Sequence, residues 1–140
     1  EPPREVETRL VSLLLRFEEG RDKARADLEQ GELLVGTRVS GIVRTLWRLV
    51  DEGKGVDYPT LFSALDDDDD KEILTHIAFR DEPEAKAEEM EDCIRALHKQ
   101  CLMRERRELQ KRIQTAADAA AIDTLLDRTQ QLARQIDALS

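Results

Sequence analysis

With 140 residues, 38% of them charged and 40% hydrophobic, the chain can hold one compact core, or one core and a small appendage, and excludes two full-sized domains. A formal net charge of −9 argues against a surface built to grip nucleic-acid phosphates. No apolar run approaches the roughly 20 residues that span a bilayer, and the N-terminus carries no leader pattern.

The predicted elements are all helical. Val6, Leu10, Leu13, Leu14 and Phe17 recur at helical spacing and predict a helix over 5–17, stopped by Gly20. A mostly polar helix over 21–30 follows, with Ala24 and Leu28 on one stripe and Gly31 closing it. The widest apolar face lies in 35–52, where Val39, Ile42, Val43, Leu46, Trp47, Leu49 and Val50 mark the central helix of a bundle. Gly53 and Gly55 end that helix, and Asp57 with Pro59 forms a cap and first turn for a short helix bearing Leu61, Phe62 and Leu65.

The acidic run 66–70 reads as a solvated hinge whose last member, Asp70, caps a helix over 71–79 with Ile73, Leu74, Ile77 and Ala78 inward. Asp81 and Pro83 open the longest pattern, 84–116. Met90, Ile94, Leu97 and Cys101 share its first face; from Leu102 the stripe shifts by one position and continues through Leu109, Ile113 and Ala116, with a bend expected near 98–102. A last helix over 119–139 repeats Ile122, Leu125, Thr129, Leu132, Ile136 and Leu139 at the alternating three-and-four spacing of a coiled-coil seam. The expected architecture is all-α: a bundle of about five to six helices over 1–97, then a C-terminal helical hairpin over 98–140, sharing the long helix. Starting at Glu1-Pro2-Pro3 without Met, the chain reads as a piece of a longer protein.

Residues that could carry chemistry favour structural roles. The acidic run lacks the spaced oxygen ligands and the glycine of a calcium loop. His76 and His98 form no two-histidine zinc pattern, so no metal or cofactor is expected. A small hydrolase using His76 and the acidic run is therefore disfavoured. Cys93 and Cys101 lie eight apart in one helical pattern, too far to bridge, which fits a reducing cytoplasmic setting. Charge is uneven: 64–92 holds thirteen acidic and three basic side chains, whereas 99–112 holds six basic and two acidic. Such asymmetry marks either a surface that meets a charged partner or a solvated helix face.

Three stretches in this order and spacing resemble a known family: Glu5-Val6-Glu7-Thr8-Arg9-Leu10 through Leu15; Ile42 through Tyr58-Pro59-Thr60-Leu61-Phe62 to Phe79; and Leu102-Met103-Arg104-Glu105-Arg106-Arg107-Glu108-Leu109 with Leu125-Leu126-Asp127-Arg128. Along nearly its whole length the chain resembles the C-terminal helicase-binding domain of bacterial DnaG-type primase. The resemblance implies a helical bundle and hairpin that dock on the N-terminal domain of the replicative hexameric helicase, without catalysis of their own. Nothing here resembles the family's zinc-binding and catalytic domains. The family's glycine-containing hairpin turn is replaced by Thr115-Ala116-Ala117-Asp118-Ala119-Ala120, in which Asp118 can cap the last helix.

On this reading the hairpin seam is Leu102, Leu109, Ile113 and Ala116 against Ile122, Leu125, Leu132, Ile136 and Leu139. Met103 and Leu126 point away from it and, with Arg104, Arg107, Arg128 and Arg134, are the expected partner contacts. Neither direct nucleic-acid binding nor membrane binding is expected. The alternative is a helical scaffold or regulatory domain with a different protein partner.

Overall fold

The computed structural model describes residues 2–80, 85–115 and 118–140. Among these the chain is all-helical: α1 (Glu5–Arg16), α2 (Arg21–Gln30), α3 (Ser40–Asp51), α4 (Tyr58–Ala64), α5 (Asp68–Ala78), α6 (Glu89–Thr115) and α7 (Ala119–Leu139). It divides into two compact units, Glu1–Ile94 and Arg95–Ser140, where the sequence pattern set the boundary at 97/98. The residues of α6 belong to both.

The first unit is organised by α3, which packs on α4 and α5, while α1 packs on α5. Leu10, Leu13, Leu14, Val39, Ile42, Val43, Leu46, Leu61 and Leu74 are wholly buried. Each such side chain contributes about 1.5–3 kcal/mol relative to leaving it in water. Trp47 lies on the same face of α3, with the Arg25 guanidinium 5.3 Å from its ring centre. Arg25 is held there by two bonds to Asp51, of 2.7 and 2.9 Å.

Glu7 is the one charged residue in this core that periodicity does not explain. It is 4% exposed. One carboxylate oxygen accepts the Arg4 backbone N–H at 2.9 Å, closing the start of α1, and the other accepts the Arg38 N–H at 2.7 Å. A buried carboxylate is tolerable only when donors replace its water, and these two backbone groups do so. At the other end of α1 the Arg21 guanidinium donates twice to the Leu14 carbonyl, at 3.0 and 2.8 Å.

The third helix starts at Ser40, five residues later than the apolar pattern predicted. Gly36 has a left-handed φ of 80°, and Val35 N–H to Glu32 and Thr37 N–H to Leu34 are turn bonds, so 31–39 winds as successive turns. Leu33 and Val39 are nevertheless buried, so the apolar pattern there reports burial and not helix.

The fourth helix begins as expected, with the Asp57 carboxylate accepting the Thr60 N–H at 2.8 Å. The fifth does not: its cap is Asp67, whose Oδ1 accepts from Asp69 at 2.7 Å and Asp70 at 3.4 Å. Asp68, Asp69 and Asp70 thereby enter the first turn of α5, where the helix dipole favours anions, so the expected hinge with Asp70 as its cap is corrected. Asp70 instead lies against α3, so close that a Cβ on Gly41 would sit 2.6 Å from its Oδ2. Burial, then the neighbouring Asp67 and Asp69, hold its carboxyl above the usual range, and Arg38 opposes them.

The sixth helix starts at Glu89 and not at 84; the expected opening residues Asp81, Pro83 and Glu84 lie outside the described residues. Three i→i+3 bonds, from Glu89, Met90 and Glu91 to Lys86, Ala87 and Glu88, wind the chain into it. From there one helix runs unbroken through 98–102, where the shift of stripe suggested a bend. Cys93 and Cys101 on this helix are both unbridged.

Candidate partner-binding surface

The second unit holds the rest of α6 and the whole of α7. Asp118, in an extended conformation, caps α7 by accepting the Ala120 N–H at 2.9 Å. Ala116 and Ala117, assigned to the seam and the turn, lie outside the described residues.

Leu102, Leu109, Leu132 and Ile136 form the buried cluster of the hairpin, with Leu125 and Leu139 packed against it. Ile113 and Ile122, nearer the turn, are half-buried. Of the expected seam, Leu102, Leu109, Leu125, Leu132, Ile136 and Leu139 are brought together in this cluster.

The expected partner contacts are sorted differently from the sequence reading. Met103 packs against the Leu102–Leu109–Leu132–Ile136 cluster, so its assignment as an outward anchor is corrected. It directly follows a buried leucine, and its long flexible side chain folds back along the seam. Arg128 is half-buried and engaged within the hairpin: its Nε and one terminal nitrogen bond Glu105, at 3.2 and 2.8 Å, and the other bonds Gln131 at 3.3 Å. It ties α7 to α6 more than it faces outward. Arg104, Arg107 and Arg134 are exposed. Leu126 is 43% exposed, a large apolar side chain on the solvent side of α7.

Periodicity missed Arg106. It stands four residues after Leu102 and three before Leu109, on the seam stripe itself. Its Nε is buried without a hydrogen-bond partner, and the residue as a whole is half-buried. A long cationic side chain at an apolar boundary commonly lays its stem on the apolar surface and keeps its charged end toward water. A basic residue between two seam leucines was the available signal.

The two units differ in charge. Glu1–Ile94 carries thirteen basic and twenty-five acidic side chains, and Arg95–Ser140 nine and six, giving −12 and +3. Of the hairpin cations, Lys99, Arg106, Arg107, Arg112 and Arg134 make no ion pair with any described residue.

His76 lies in the last turn of α5 and His98 lies exposed on α6. Among the described residues no group of three or more His, Cys, Asp and Glu side chains is placed to hold a metal, and no helix is long and apolar enough to cross a membrane. What the hairpin offers chemically is an apolar anchor and several cations on a narrow two-helix support. No family model, curated protein or solved structure matches the chain.

Proposed function

We propose that this chain is a non-catalytic interaction module of a bacterial primase, docking on the N-terminal domain of the hexameric replicative helicase in the cytoplasm and so holding primer synthesis at the point of unwinding. The resemblance of the three sequence stretches supplies the partner. The observation that carries the docking role is the exposed Leu126 on a hairpin whose own core, among the described residues, is only four buried side chains, with Arg106, Arg107 and Arg134 on the same unit making no ion pair to any described residue. An exposed apolar side chain on a unit of net positive charge suits an apolar groove in an acidic partner. Tethering of this kind raises effective concentration and requires no catalytic group.

The test is calorimetric titration of the chain into the helicase N-terminal domain from the same organism. A saturable isotherm that is lost with residues 95–140 removed supports the assignment. Full binding by residues 1–94 alone defeats the hairpin's role, and no binding by either defeats the choice of partner, leaving a scaffold domain for another protein.

A further inference from the structure

Within the first unit, α2 and the start of α6 line a half-open cavity of about 230 Å³ that the docking role of the hairpin does not use. Its floor is apolar, made by the buried side chains of Ala24, Met90 and Ile94. Its rim is acidic: among the described residues Glu19, Asp27, Glu88 and Glu91 line it, against the single cation Lys23. That cation is already claimed, since its Nζ lies 2.8 Å from Glu91, and this bond holds its ammonium above the usual lysine range. No hydrogen bond or ion pair from a described residue engages the carboxylates of Glu19, Asp27 or Glu88. The N-termini of α2 and α6 also end at this cavity, and each brings roughly half a positive charge. With Lys23 they amount to about two positive charges against four carboxylates, so the field inside remains negative.

We propose that this cavity receives an arginine side chain presented by a peptide segment of a partner protein. The volume decides the size of the occupant: about 230 Å³ lies below the roughly 300–1,000 Å³ of sites for whole small molecules, and suits one long side chain. The charge decides its sign. The dispersed carboxylates favour a guanidinium over an ammonium, because its fork of donors reaches more than one acceptor while its three-carbon stem lies on the apolar floor. The seat lies wholly within Glu1–Ile94, so it stands or falls independently of hairpin docking.

The test uses the full chain and a blocked pentapeptide with one central arginine among alanines, titrated while the methyl resonances of Ala24, Met90 and Ile94 are followed. Saturable shifts at these three groups are expected, with a Kd on the order of a millimolar. The analogue with citrulline, neutral but of the same shape, should leave them unmoved, and the double variant Asp27→Asn/Glu88→Gln should weaken binding at least fivefold with an unchanged far-UV spectrum. If that variant is misfolded, Glu19→Gln/Glu88→Gln, altered only at exposed positions, takes its place. Non-saturating shifts spread over the acidic surface, undiminished binding by the folded variant, or spermidine binding as tightly as the peptide would each overturn the proposal.

Discussion

Replacing Leu126 with Ala separates docking from folding, because this side chain is placed to do one and not the other. Fully burying a leucine is worth about 1.5–3 kcal/mol. With 43% of Leu126 exposed, a partner that covers it completely gains at most about 0.6–1.3 kcal/mol, or roughly a three- to ninefold change in Kd. The same substitution at Leu132, which has no exposure, opens a cavity in the hairpin and should cost about 2–5 kcal/mol of stability. The pair is read by calorimetry against the helicase N-terminal domain and by thermal melting followed at 222 nm. Leu126→Ala should weaken binding within that range and leave the melt in place, and Leu132→Ala should lower the melt. A Leu126→Ala protein that melts early and binds normally would make Leu126 a packing residue and refute the anchor.

Further outcomes follow from the other sites. Reversing Arg107 and Arg134 to Glu should slow association with the helicase domain severalfold and flatten its dependence on salt, as measured by stopped flow; an unchanged rate from low to high salt removes steering by these charges. Glu7→Ala leaves the Arg4 and Arg38 N–H groups without their acceptor and should destabilise the first unit by about 2–6 kcal/mol in urea unfolding, at roughly 1–3 kcal/mol for each orphaned donor, with an unchanged m-value. For Asp70 the folded state raises the carboxyl's pKa, so that state binds its proton more tightly than the unfolded chain does. Its contribution is favourable below the unfolded pKa and is lost as pH rises through the raised folded value. Asp70→Asn should therefore raise the melting temperature at pH 7, with a gain that shrinks as pH falls into the carboxylate range. A destabilised variant at pH 7 would mean that attraction to Arg38 outweighs burial and the repulsion of Asp67 and Asp69.

Local periodicity made the helices legible because each reports its own burial. The face of α3 from Ile42 to Leu49, the caps Asp57 and Asp118, and the seam Leu102, Leu109, Leu132 and Ile136 all depend on neighbours within one or two turns or on a repeat of seven. What escaped depends on partners far along the chain. Glu7 looks like any exposed first-turn glutamate until Arg38, 31 residues away, donates to it. Asp70 looks like a cap until its approach to Gly41 places it against α3 and gives the cap to Asp67. On the hairpin, Met103 was left over once the seam was assigned and so was placed outward, but a flexible thioether can fold onto a neighbouring seam. The cavity beneath Lys23 had no sequence signature, since its floor joins residues from two helices separated by some sixty positions.

The placement of Trp47 has a practical consequence. It is the sole tryptophan, 5% exposed beneath Arg25, and the tyrosine and all three phenylalanines also precede residue 95. Arg95–Ser140 therefore has no Trp, Tyr or Phe, while both units contribute helix. Emission excited at 295 nm reports the first unit alone, and far-ultraviolet dichroism reports both. A denaturation followed by the two probes together shows directly, without labels or truncation, whether the hairpin melts with the bundle or before it.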